Sequence, residues 1–179
     1  MPRSLLSTYP QTPDRFDEML AEDGSIRRAW QPFFAHLEAA TPEQMRHRLD
    51  YVRRRILENG VTYNVYADPE GADRPWELDP LPLILCPDEW QAIASAVQQR
   101  ARLLNAVLRD LYGEQTLLRD GIVPAALIYG HNNFLWPCQD IKPLGDTYLH
   151  LYAADLARSP DGRWWVIADR TQTPSGAGY

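Results

Sequence analysis

The sequence predicts a mixed α/β (α+β) fold, with a helical N-terminal region followed by a mixed sheet that ends in a C-terminal β-hairpin. Three observations carry this expectation. Apolar residues recur at helical period over residues 88–111, a full set of helix-start residues stands at Thr41-Pro42-Glu43-Gln44, and two runs of β-formers flank Ser159-Pro160-Asp161-Gly162.

Taken in order, Ser25 is expected to cap a first helix whose Trp30, Phe33, Phe34 and Leu37 share one face. Thr41 at the cap, Pro42 at the first helical position and Gln44 three residues after the cap predict a second helix. Its apolar stripe is Met45, Leu49, Val52 and Ile56, and Asn59-Gly60 ends it. Arg46, Arg48, Arg53, Arg54 and Arg55 then belong to its solvated face. Residues 61–66 alternate as a half-buried strand does, with Tyr63 and Asn64 among them, and residues 74–82 hold too many prolines for a helix or central strand.

The long helix over residues 88–111 carries Trp90, Ile93, Ala94, Val97, Ala101, Leu104, Leu108 and Leu111 on its stripe, with Asp88 and Gln91 as start signals. A strand is expected over Ala125–Tyr129, and the hairpin strands over residues 148–156 and 163–169. Gly162 accepts the positive φ that the turn between them requires. Residues 1–60 are therefore read as a helical N-terminal region and 61–179 as the α/β part.

Composition bounds the function. With 45% apolar and 23% charged residues among 179, the chain suits one ordinary domain, and its scattered prolines exclude a collagen-like or disordered class. A net charge of -6 disfavours a nucleic-acid partner. No apolar run approaches the roughly 18 to 20 residues that span a bilayer, and the first residues lack the apolar core of a secretory signal, so neither a membrane nor export is expected and the cytoplasm is. In that reducing compartment Cys86 and Cys138 are read as unpaired small core residues. Lys142 is the single lysine, an arginine bias that genome composition alone can produce.

The most informative stretch for chemistry is Asp169-Arg170-Thr171-Gln172-Thr173-Pro174-Ser175-Gly176-Ala177-Gly178-Tyr179. A charged pair leads into small residues and glycines whose backbone amides can approach an anion closely, as a loop over phosphates requires. On its own the pattern is weak, since it is neither a Walker loop nor a complete dinucleotide fingerprint, and a flexible tail is the commoner finding. His131, and His150 with Asp155, suggest a hydrolytic pair or a metal site, but no ligand-like spacing accompanies them and ordinary hydrogen-bonded histidines are the plainer reading. Asp73, Glu77 and Asp79 around Arg74 and Trp76 suit either a substrate contact or a loop tied by its own ion pair.

Four segments in one order, namely Asn59-Gly60-Val61-Thr62-Tyr63-Asn64-Val65-Tyr66, residues 71–82, residues 149–162 and the terminal loop, closely resemble the circularly permuted ATP-grasp proteins of type 2, a former domain of unknown function also compared with glutathionylspermidine synthase. The resemblance covers almost the whole chain. It implies that the chain is the N-terminal fragment of a larger ATP-grasp architecture, truncated at the glycine-rich loop. The activity implied is an ATP-dependent carboxylate–amine ligase working through an acyl phosphate. Arg170, Ser175, Gly176 and Gly178 are the positions to which the resemblance implies the phosphate-contacting roles, ATP and Mg2+ are the implied cofactors, and the metal ligands are expected beyond Tyr179. The implied partners are a small molecule or peptide bearing a carboxylate and an amine, and the remainder of the chain's own ATP-grasp domain. Two other classes stand beside it: a non-catalytic ligand- or partner-binding module on the same fold, and a small hydrolase using His150 and Asp155.

Overall fold

A helix forms where an apolar stripe finds a surface to cover, and Trp30, Phe34 and Leu37 do so in the first part of the chain. They are buried with Met19 and Leu20, and Ile26, Phe33, Met45 and Ile84 pack against them. The three aromatic rings meet at 5.5 to 6.1 Å between centroids, two of the pairs edge-on. The computed structural model describes residues 9–12, 14–38, 40–61, 76–79, 81–172 and 174. By its contacts the chain divides into two units, Met1–Cys86 and Pro87–Tyr179.

In the first unit α1 spans Gln31–Glu38, so it starts later than Ser25. Ser25 instead occupies a turn: Leu20 and Ile26 form an isolated antiparallel bridge, the Ser25 carbonyl accepts from Ala21 N (2.8 Å), and Gly24 takes φ +78°. Its amide donates to Asp23 Oδ1 (2.9 Å), so this serine serves the turn and caps nothing.

α2 (Pro42–Glu58) follows its sequence signals closely. Thr41 Oγ1 accepts from Gln44 N (3.2 Å) and Gln44 Oε1 accepts from Thr41 N (2.8 Å), which completes the capping box. At the other end Asn59 Nδ2 donates to the Arg55 carbonyl (2.7 Å) and Gly60 turns the chain at φ +61°. Met45, Leu49, Val52 and Ile56 are half-buried, and the five arginines on this helix's other side are exposed. Of the strand predicted over residues 61–66, all but Val61 lies outside the described residues, as do Tyr63, Asn64, Asp73 and Arg74. Residues 76–79 are exposed coil, where Asp79 Oδ1 accepts from Leu81 N (2.9 Å) in a local turn.

The second unit is built on α3 (Pro87–Leu111). It starts at a proline, so Asp88 lies within the first turn, where its charge suits the helix N-terminus, and is not the cap. Ile93 and Leu111 are buried and Ala94, Val97, Ala101, Leu104 and Leu108 half-buried, but Trp90 is 58% exposed and leaves the stripe. Half-burial at Leu104 lowers the expected cost of Leu104→Ala to about 1 to 2 kcal/mol, below the roughly 2 to 5 kcal/mol of a fully buried leucine. A denaturant melt showing a loss under about 0.5 kcal/mol would place Leu104 outside the packed face.

After α3, Asp110 accepts from the Thr116 and Leu117 amides (both 3.0 Å) and from the Thr116 hydroxyl, fixing the one-turn helix α4 (Thr116–Arg119). Burial pushes the Asp110 carboxyl up, but these hydrogen bonds outweigh it and leave the group below its ordinary value. Ala125–Tyr129, expected as a strand, is the short helix α5. Leu127 N donates to the Pro124 carbonyl and Gly130 N to the Ala126 carbonyl (both 3.0 Å), so local bonds satisfy this backbone where a strand would need a neighbour. A Cβ at position 130 would sit 2.5 Å from the Ala126 oxygen, hence the glycine. Cys138 ends a 3₁₀ turn, Trp136–Cys138, and is exposed, contrary to its expected core position. Cys86 is half-buried, and both thiols are free.

The sheet among the described residues is the antiparallel pair β1 (Ala153–Arg158) and β2 (Trp164–Arg170). β1 starts later than the alternation of residues 148–156 suggests. Asn105 of α3 accounts for this: its Oδ1 accepts from the Tyr148 and Leu149 amides (2.8 and 2.9 Å), diverting them from strand pairing. The turn is as predicted, with Gly162 at φ +82° and Ser159 N donating to the Arg163 carbonyl (2.9 Å).

Candidate functional site

The open end of this hairpin is where the site residues of the second unit gather. Asp155 faces Ala168 whereas Leu156 faces Val166, so Ile167 is an extra residue bulged from β2. The bulge reverses the alternation of β2. As a result Asp169, opposite Ala154, lies on the face covered by α3, and Arg170, opposite Ala153, lies on the other face.

On the covered face, Arg100 of α3 donates from Nε and Nη2 to the two Asp169 oxygens (both 2.6 Å), and the Tyr152 hydroxyl donates to Oδ1 (2.5 Å). At the turn end of the hairpin, Glu89 accepts from Arg158 and from Trp164 Nε1 (3.1 Å). Glu89 and Arg100 are about three helical turns apart, roughly 16 Å, which matches the run of strand from Trp164 to Asp169 at about 3.3 Å per residue. Two ion pairs thus hold both ends of the hairpin against one helix.

These contacts set the electrostatics. Arg100, then Tyr152, holds the Asp169 carboxyl down at about 2. Burial, then the hydrogen bond to Asp169, raises the Tyr152 hydroxyl, and Asp169 raises the Arg100 guanidinium. A carboxylate whose folded value lies below its unfolded value of 3.8 adds stability that is fully present above that value and is lost as pH falls towards about 2. Asp161, held at about 2 by the Ser159 hydroxyl and the Arg163 amide, acts in the same window. The unfolding midpoint should therefore drop between about pH 4 and pH 2. Asp169→Asn should flatten part of that slope in a pH series of thermal melts; an unchanged slope would mean that the Arg100 pair does not persist in solution.

On the opposite face Arg170 reaches back across the pair to Asp155, the diagonal neighbour. Its Nε donates to both carboxylate oxygens (3.1 Å each) and its Nη2 to Oδ2 (2.7 Å). This contact lowers Asp155 and raises Arg170 from their ordinary values. The Arg170 side chain is nevertheless 55% exposed. Asp155 is thereby engaged by an arginine.

Ser175, Gly176 and Gly178 lie outside the described residues. His131 is an ordinary exposed turn residue whose Nδ1 accepts from Asn133 N (3.2 Å). His150 lines a cavity of about 640 Å³ whose wall also holds Tyr112, Tyr148, Leu135, Cys138, Thr171 and Gln172, next in sequence to Arg170. Tyr112 stacks on Phe134 (4.9 Å, 3° between planes), and Asn105 of α3 secures the segment carrying Tyr148. Among the described residues no group of three or more His, Cys, Asp or Glu side chains is placed to hold a metal ion. No described helix is long and apolar enough to cross a membrane.

Sequence reasoning missed Arg100, because an arginine beside an apolar stripe reads as a solvated residue. It also missed the role of Asp155 as partner of Arg170, since their pairing needs the strand register.

The sequence profile described as circularly permuted ATP-grasp type 2 matches residues 82–179, a stretch that includes the whole second unit. An uncharacterized protein of Synechocystis sp. is 33% identical over 164 residues, covering 92% of this chain and 34% of that protein. An uncharacterized protein of Mycobacterium tuberculosis is 35% identical over 176 residues, with coverage of 92% and 20%. One of Mycobacterium leprae is 30% identical over 164 residues, with coverage of 92% and 28%. The chain spans about a third or less of the length of these relatives.

Proposed function

The chain belongs to the circularly permuted ATP-grasp type 2 family, and from that premise we propose that it is part of an ATP-dependent carboxylate–amine ligase that works through an acyl phosphate. The observation that carries the reading is the family match over residues 82–179, which takes in the anchored hairpin, Arg170 and the glycine-rich stretch after it. ATP supplies the phosphoryl group that converts a carboxylate into an acyl phosphate; attack of an amine on the acyl carbon then forms the amide and expels phosphate.

The chain's own share of this chemistry is positioning and charge neutralisation, the main requirements of phosphoryl transfer. Arg170 presents an exposed cation at the end of a strand fixed by Arg100 and Asp169. The backbone amides of Ser175, Gly176 and Gly178 are assigned to phosphate oxygens, where the lack of a Cβ at the glycines permits close approach. Residues that hold Mg2+ are assigned to the rest of the protein, which is also the partner this part folds against. The substrates are a carboxylate and an amine, on small molecules or peptides, and the compartment is the cytoplasm.

Hydroxylamine trapping tests the acyl phosphate. The whole protein with magnesium–ATP, a panel of carboxylates and hydroxylamine should release ADP and a hydroxamate together. Release of AMP with the hydroxamate would indicate an acyl adenylate and overturn the mechanism.

A further inference from the structure

An arginine carries five N–H donors on two usable edges, one formed by Nε and Nη2 and the other by Nη1 and Nη2. Asp155 takes the first edge of Arg170 completely, with Nε on both oxygens at 3.1 Å and Nη2 on Oδ2 at 2.7 Å. The second edge, with one hydrogen of Nη1 and one of Nη2, has no acceptor among the described residues and belongs to a side chain that is 55% exposed. Its base does not move freely, because the neighbouring Asp169 ties the end of β2 to Arg100 on the opposite face.

We infer that Asp155 is a positioning residue: it orients Arg170 so that the outer guanidinium edge receives an oxyanion in a bidentate contact. The fork of that edge matches two oxygens of a phosphate or carboxylate group. The inference deepens the ligase reading, on which it rests for naming a nucleotide phosphate as the anion. The competing possibility is that Asp155 occupies Arg170 as a rival anion. The two roles have opposite signs. An orienting carboxylate strengthens anion binding when present, because it fixes the side-chain rotamer that an unpaired arginine must order on binding. A rival carboxylate weakens it.

Calorimetric titration of the whole protein with magnesium–ATP, and separately with inorganic tripolyphosphate, decides between them. Arg170→Ala is the reference for loss of the contact. Asp155→Ala is expected to weaken ATP binding about five- to ten-fold. The isosteric Asp155→Asn, whose amide oxygen still accepts from Nε, should stay within about three-fold of the parent; this rescue also separates orientation from misfolding, since both variants should melt close to the parent. Unchanged or tighter binding in Asp155→Ala would overturn the positioning role while ATP binding by the parent left the ligase reading standing. Tripolyphosphate binding that depends on Arg170, without ATP binding, would overturn the ligase reading and keep the oriented edge. Failure of the parent to bind either anion would overturn both.

Discussion

Trp30→Ala is expected to destabilise the first unit by about 3 to 5 kcal/mol, the largest effect of any single truncation in this core. Trp30 is 3% exposed and packs against Phe33 and Phe34, so removing the indole opens a void at the centre of the cluster that also holds Met19, Leu20 and Leu37. One feature of the native side chain works against it. Its Nε1 is buried with no acceptor among the described residues, which carries a desolvation penalty of about 1 to 3 kcal/mol. Trp30→Phe removes that donor and leaves a smaller void. It should therefore cost much less than the alanine variant, about 1 kcal/mol or below. Urea melts of both variants give the comparison; a Trp30→Phe loss well above about 1 kcal/mol would mean that the indole N–H is satisfied in solution.

Arg170→Ala should lower ATP turnover of the whole protein by about 10²- to 10³-fold, the range seen when one preorganised donor to a developing charge is removed. Its thermal midpoint should stay nearly unchanged. The ion pair that the substitution removes in the resting protein is exposed on both sides, 55% and 44% for the two side chains, and such pairs add little to stability. A large fall in melting temperature with turnover preserved would assign Arg170 to the fold and withdraw it from the phosphate site.

What could be read from the sequence was what neighbouring residues decide. The capping box at Thr41 and Gln44 and the turn at Asp161 and Gly162 are contained in a few positions, and the structure holds both. Ala125–Tyr129 was ambiguous for a physical reason: an apolar run of five residues has no measurable period, and a helix beginning after Pro124 fits it as well as a strand. Ser25 was a plausible cap that a local turn used first. The site was less legible. Arg170 could be singled out from its place before glycines, but Arg100 meets Asp169 across 69 residues of sequence. The Asp155 contact depends on a bulge at Ile167 that shifts the register by one, and nothing in the local pattern marks that slip.

On the proposed function, the protein carrying this chain binds and uses ATP. Calorimetric titration of the whole protein with ATP in the presence of magnesium tests it most directly. Saturable binding at micromolar ATP is expected, within the range usual for enzyme substrates, and weakened by Arg170→Ala. A folded whole protein that gives no binding heat with magnesium–ATP, and no ADP on prolonged incubation with carboxylates and amines, would contradict it.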